Sequence, residues 1–218
     1  MKIKWYGHAS FLITSEKGTK IITDPYEPDG YGGAIKYGKI PDVADIVLIS
    51  HSHADHNYPQ GLSGNPKQIK KAGISESLGI TFKGIETFHD TEQGKERGEN
   101  IVFIFNIDGI NICHLGDLGH PLSKKQVEEI GKVDILFIPV GGFFTIDANT
   151  AKEVINVIKP KIIIPMHFKT EKVDFPIEKV DVFIKDLKGV KRLKESEIEI
   201  KKDNLPKEPE VIVLTHSL

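Results

Sequence analysis

The chain has 218 residues, of which 39% are hydrophobic and 28% charged, with a formal net charge of −2. That is enough for one globular domain with a sizeable core, expected over residues 1–218. No basic field of the kind nucleic acid demands is present, no apolar run approaches the roughly 20 residues that span a bilayer, and the single cysteine, Cys113, excludes a disulfide framework.

The opening Lys2-Ile3-Lys4-Trp5-Tyr6 alternates as a strand buried on one face, and it has no signal-peptide core. A cytoplasmic location is the expectation. Phe11–Thr14 and Lys20–Thr23 read as the next two strands, around a turn at Glu16–Thr19. Tyr26–Pro41 is rich in Gly and Pro and has no period. Such a loop is usually functional, and it is read here as a lip near the site or an oligomer contact. Ile46–Ser50 is a buried strand. Lys67, Lys70 and Lys71, with Ile69 and Ile74, are read as a basic amphipathic patch or a solvated helix face.

Ile80–Phe88 reads as a strand, and Thr91–Asn100 as a solvated, charged loop. Ile101–Ile107 and Ile110–Leu115 flank Asp108-Gly109, a strong hairpin signal. Ser123 caps a short helix over Lys124–Ile130, and Val133–Pro139 is a buried strand. The best helix is Asp147–Ile158, capped by Asp147 or Asn149 and ended by Pro160, with Ala151, Val154, Ile155 and Ile158 as its apolar stripe. Lys161–Pro165, Val180–Ile184, Ile198–Ile200 and Val211–Leu214 are read as strands. Strands come early and alternate with helices later, which suits a strand-rich core with helices outside.

The chemistry concentrates in His51-Ser52-His53-Ala54-Asp55-His56, directly after the Ile46–Ser50 strand. Three imidazoles and a carboxylate in six residues cannot point one way along a regular element. In a loop at a strand end they can converge on metal ions, which bind neutral imidazole nitrogens and carboxylate oxygens. Three more strands each end on a residue of ligand type: His89, Asp117 after Gly116, and His167. Ligands taken from the same ends of several strands build one site at the rim of a sheet.

His-x-His-x-Asp-His, then His89, Gly116-Asp117 and His167, resembles the metallo-β-lactamase superfamily from Gly7 to Phe168. The closest look is to the branch of the ascorbate-6-phosphate lactonases and N-acylphosphatidylethanolamine-type phospholipases D. The shared stretches are Gly7-His8-Ala9-Ser10, Thr23-Asp24-Pro25, the His cluster, Gly116-Asp117, Pro139–Gly142 and Pro165–Phe168. The resemblance implies an α/β fold, a four-layered αβ/βα sandwich, with two divalent metals at one edge. His51, His53 and His89 would hold one metal, Asp55, His56 and His167 the other, and Asp117 would bridge them. Zinc suits such ligands first, with manganese, iron and nickel as alternatives.

The implied activity is a binuclear metal-dependent hydrolase, in which a hydroxide between the metals cleaves a small ester, lactone or phosphoester and Asp55 orients it. The expected partner is a small-molecule substrate, with a homo-oligomer open. A phosphodiesterase on lipid or nucleotide, and a non-catalytic metal-binding protein of the same fold, are the competing readings. His8 and Asp24 are candidates for supporting the ligands or binding substrate. His120, three residues beyond Asp117, is a candidate proton donor. His114 is read as structural and His216 as incidental. Phe143-Phe144 is read as the wall of an apolar pocket.

Overall fold

A computed structural model describes residues 1–218. In chain order its elements are β1 (Lys2–Gly7), β2 (Ser10–Thr14), β3 (Lys20–Thr23), the short turn α1 (Gly30–Gly33), β4 (Ile46–Leu48), β5 (Lys67–Ile69), β6 (Gly73–Ser77), β7 (Ile80–Phe88), β8 (Glu99–Ile107) and β9 (Ile110–His114). Then follow α2 (Lys124–Ile130), β10 (Ile135–Pro139), α3 (Ala148–Ile158), β11 (Ile162–Met166), α4 (Val180–Ile184), β12 (Val190–Arg192), β13 (Glu197–Glu199) and β14 (Glu210–Val213).

Two mixed sheets form the body. One has the order β13-β1-β2-β3-β4-β5 and the other β12-β14-β11-β10-β9-β8-β7-β6. Side chains alternate across the first sheet. Ile3, Phe11, Ile13, Ile21, Ile46 and Leu48 join the core shared with the second sheet. Leu12, Ile22 and Val47, on the opposite face, join a separate apolar cluster with Tyr26, Ile35, Tyr37 and Phe175. Both faces are therefore buried, which is why β4 reads as an unbroken apolar run rather than an alternating one. The αβ/βα sandwich is present. Its outer layer over the first sheet consists largely of the 25–45 and 170–178 segments.

The parallel strands β9, β10, β11 and β14 bury nearly every residue and give the long Ile-rich runs. Asp108 (φ 52°) and Gly109 (φ 75°) form the tight hairpin between β8 and β9, as their sequence demands. The Ser123 cap of α2 is a full capping box, with Gln126 N donating to Ser123 Oγ at 3.2 Å and Ser123 N donating to Gln126 Oε1 at 3.0 Å. In α3 the cap is Asp147, and Ala151, Val154 and Ile158 are buried as the stripe requires.

Two expectations are corrected. Val180–Ile184 is the helix α4, not a strand: Val180 and Phe183, three apart, are its buried residues, and it packs against α3. Five apolar-rich residues cannot separate the two periods, so tertiary packing decides. Lys67–Ile69 is an edge strand with Ile69 in the core, while Ile74 lies exposed on β6, so no amphipathic helix face exists there. The weakly patterned β6 and β12 are strands because an open sheet edge supplies their hydrogen-bond partners.

Asp147 also provides a measurable test of the α3 start. Its carboxylate accepts from Thr150 N at 2.8 Å, and that backbone N–H holds its pKa below the usual carboxylate value. Asp147→Ala is expected to cost about 1 kcal/mol at neutral pH. Because the folded-state pKa is lowered, the deficit is full above the ordinary carboxylate range and disappears as pH falls through the lowered value. Urea denaturation of both proteins across pH 2–7 measures this; a deficit that does not change with pH contradicts the cap.

Candidate metal centre

Six strands deliver the site. β1 ends at His8, β3 at Asp24, β7 at His89 and β11 at His167. β4 runs through Ile49-Ser50 into the His cluster, and β9 through Leu115-Gly116 to Asp117. His8 (φ 52°), Asp24 (φ 38°) and His167 (φ 51°) each adopt the left-handed backbone region directly after their strands. Non-glycine residues there carry strain of order 1–3 kcal/mol. The left-handed residue turns the chain sharply out of its strand, and the three side chains meet at the sheet rim.

The ligand-type atoms fall into overlapping groups whose members all lie within 4.8 Å of one another. One group is His51, His53 and His89. A second is Asp55, His56 and His167, with His8. A third, His51, His56 and Asp117, takes one histidine from each of the others. Asp117 Oδ2 lies 3.2 Å from His56 Nε2, 3.1 Å from His89 Nε2 and 3.1 Å from His167 Nε2. All of the ligand candidates named from sequence are thus brought together.

The far sides of three of the rings are tied down. His56 Nδ1 donates to Asp24 Oδ2 at 2.9 Å. His51 Nδ1 donates to Ser50 Oγ at 2.9 Å, and Ser50 Oγ donates to Asp24 Oδ2 at 2.7 Å. Asp24 therefore orients two histidines, one directly and one through Ser50. His89 Nδ1 donates to the Phe144 carbonyl at 3.0 Å. Each of these bonds turns Nε2 inward and fixes the tautomer a metal needs. Ser50 and Asn100 also serve the site, and nothing in the sequence marks them for it. Asn100 Oδ1 accepts from Asp117 N at 2.9 Å, while Asn100 Nδ2 donates to Leu115 O at 2.9 Å. A Cβ at Gly116 would meet Asn100 Oδ1 at 2.3 Å and Ser50 Cβ at 2.5 Å, so only glycine lets this support close on Asp117.

The residues fit a cation on two counts. His51 Nε2, His56 Nε2 and Asp117 Oδ1 are buried and have no hydrogen-bond partner, although His56 Nε2 lies 3.2 Å from Asp117 Oδ2. Leaving such atoms unpaired costs about 1–3 kcal/mol apiece. The charges agree. Burial and the nearby His56 push the His51 pKa down to about 3, and burial and His167 push His8 down to about 4, so both are neutral. Burial opposes charge on His56 too, yet Asp117 and Asp55 raise it well above its usual value. Burial likewise opposes charge on Asp117, but His167 and His56 hold its pKa well down. The centre calls for positive charge, supplied by protons or by cations.

A cavity of about 300 Å³ opens onto this cluster, its floor including His53, Asp55, His89, Asp117 and His167. Tyr31, Phe144, Phe175, Glu96 and Arg97 complete its lining. Tyr31 comes from the Gly-rich loop read as a lip, and its hydroxyl donates to Asp55 Oδ1 at 3.1 Å. Phe144 walls the cavity, whereas Phe143 is exposed. Glu96 and Arg97 come from a loop organised by Asp90, whose carboxylate accepts from the backbone N–H of Glu92, Gly94, Glu96 and Arg97 at 2.8–3.0 Å. Burial works against that charge, but those four donors, led by Arg97, bring its pKa down to about 2.

The remaining histidines divide. His8 sits under the site, its Nε2 donating to Asp55 Oδ2 at 3.1 Å. His114 is structural: Nε2 donates to Ala9 O and Nδ1 accepts from Gly116 N. His216 folds back onto Glu171 and the edge of Trp5, away from the cluster. His120 is a correction. Its Nε2 accepts from Phe88 N and its Nδ1 donates to Pro121 O, so both nitrogens serve the backbone, and it does not line the cavity. A Cβ at Gly119 would meet the His89 carbonyl carbon at 2.2 Å; the chain there passes behind His89 rather than over the site.

Comparison with known proteins agrees with this architecture. Residues 2–167 match the family described as the beta-lactamase superfamily domain. A Thermotoga maritima crystal structure, assigned to the zinc-dependent hydrolases of the metallo-β-lactamase superfamily, is 42% identical, with a TM-score of 0.81 over 98% of this chain and 97% of that one. The chain belongs to the metallo-β-lactamase superfamily. Among superfamily relatives, a Carboxydothermus hydrogenoformans protein named UPF0173 metal-dependent hydrolase is 31% identical over 84% of this chain and 89% of its own length. A Pyrococcus furiosus protein of the same UPF0173 group is 33% identical, covering 86% of this chain and 97% of that protein.

Two outcomes test the supports of this superfamily site. Asp24→Asn, which removes the charge behind His56 and Ser50, is expected to lower zinc affinity about 10–100-fold in chelator competition; unchanged affinity would sink the orienting role. Asp90→Ala is expected to cost about 2–3 kcal/mol and to abolish amide-exchange protection at Glu92, Gly94, Glu96 and Arg97. Retained protection there would show that the loop is ordered by something else.

Proposed function

We propose that the chain is a binuclear metal-dependent hydrolase of a small ester, lactone or phosphoester. The observation that carries this reading is the pair of ligand groups, His51-His53-His89 and Asp55-His56-His167, meeting at Asp117 beneath a small cavity. Asp117 is the bridging candidate, because its own group draws a histidine from each set. Two divalent ions in these sites, zinc first among them, would bring the pKa of water towards neutrality and polarise the substrate's carbonyl or phosphoryl oxygen. In motif, the branch of the ascorbate-6-phosphate lactonases and N-acylphosphatidylethanolamine-type phospholipases D is the nearest reading.

The chain's own groups then have assignable tasks. Asp55 receives hydrogen bonds from Tyr31 on Oδ1 and His8 on Oδ2, which hold its carboxylate ionised and pointed at the cavity. It is the group placed to orient the attacking water and take its proton. Burial opposes that ionisation, but His56 and His8 keep the Asp55 pKa low. Tyr31, Phe144 and Phe175 give the cavity its apolar side. The lining offers no serine, cysteine or lysine nucleophile. Cys113 is buried in the core with its thiol pKa pushed up by burial. Small size is what the cavity volume supports for the substrate, and no helix of the chain is long and apolar enough to cross a membrane.

Elemental analysis of the pure protein should find about two metals per chain, the number the resemblance and the two ligand groups require. Asp117→Ala and His51→Ala should each lower that content, and chelation should abolish turnover on a panel of esters, lactones and phosphoesters. One metal or none after reconstitution would break the bridging role of Asp117. Full loading with no turnover on any member of the panel would favour a metal-binding protein instead.

A further inference from the structure

Arg97 lines the cavity, and most of its guanidinium's hydrogen-bonding capacity is unspent. It is the only lysine or arginine in the lining. Of its five N–H donors, one is used, from Nη1 to Glu96 Oε2 at 3.3 Å. That partner is its own chain neighbour, with a side chain 59% exposed, so the pair is a weak one. The group is nevertheless positioned. Its Cζ lies 5.9 Å from the Phe144 ring centroid, within cation–π range. Arg97 N donates to the buried Asp90 carboxylate at 2.8 Å, which fixes the backbone that carries it. Phe144 is itself anchored, its carbonyl accepting from His89.

Composition sharpens the point. The chain has 29 lysines and arginines, of which only Arg97 and Arg192 are arginine. A surface cation in this sequence is nearly always lysine. Arginine differs in presenting a planar fork that binds carboxylate or phosphate through two parallel hydrogen bonds, and in stacking on aromatic rings. Both properties are in use or on offer at position 97. The space beside it is lined by Tyr31, Phe144 and Phe175, whose rings contact edge to face at 5.5 Å.

We propose that Arg97 is an anion-binding subsite, and that the ligand of this cavity carries a carboxylate or phosphate at the end away from the histidine cluster. An aromatic or aliphatic body would lie against Phe144 and Phe175. The proposal rests on the hydrolase reading only for which bond is cleaved; recognition of the anionic end stands on the cavity wall alone.

The test is titration calorimetry of the metal-loaded protein with matched uncleavable probes: terephthalate against 4-methylbenzoate, and adipate against hexanoate. The native protein should bind at least one dianion about tenfold more tightly than its monoanion, roughly 1.4 kcal/mol. Arg97→Met should reduce that ratio to within about twofold, and Arg97→Lys should retain part of it. Equal affinities within both pairs in the native protein, absence of binding included, overturn the subsite. So does a ratio that survives Arg97→Met. Discrimination by a protein that turns over no substrate supports the subsite and counts against the hydrolase, so the two readings fail separately.

Discussion

A carboxylate buried among imidazoles is the constraint on which the structure depends. Asp117 is 1% exposed and has no lysine or arginine beside it. An ionised carboxylate in that position is costly unless positive charge lies against it. Four histidine rings stand within 4 Å of its Oδ2, each ready to share that charge with a proton or a cation. The surrounding design follows. Asn100 and Gly116 hold the Asp117 backbone. Asp24 and Ser50 hold two of the rings. The sheets supply rigid strand ends from which these groups project, and a site on rigid elements keeps its geometry better than one on loops alone.

The first sheet explains why so much of this was visible in the residue order. Its inner face packs on the second sheet, and its outer face is covered by the loop that also brings Tyr31 to Asp55. Burial on both faces turns β4 into an uninterrupted apolar run, and polar residues directly after such a run stand out. The same contrast marks Asp117 and His167 after the buried β9 and β11, whereas His89 closes the alternating strand β7. The candidate ligand set is therefore legible because each member follows directly on a patterned strand.

What was not legible depends on contacts between distant segments. Ser50 closes an apolar run and gives no sign that it relays a hydrogen bond from His51 to Asp24. Asn100 sits at the end of a charged loop and reaches Asp117 only through the pairing of β8 with β9. Arg97 lies in a stretch that reads as solvated, because nothing local shows that Asp90 folds it into the cavity wall. His120 misled for the converse reason. Closeness in sequence to Asp117 suggested closeness in space, whereas the tight passage at Gly119 carries the chain behind His89. The helix at Val180–Ile184 escaped because a five-residue pattern is too short to reveal its period, and contact with α3 settles it.

The left-handed backbone at His8, Asp24 and His167 bears on how such a chain can be altered. Glycine would occupy those three torsions without strain, so it relieves the backbone at the cost of the side chain that the site needs. Selection for heat resistance alone would have a local incentive to erase part of the metal centre, in opposition to selection for turnover. Engineering a hardier form should therefore leave these three positions fixed and seek its gains in the helix caps and edge strands.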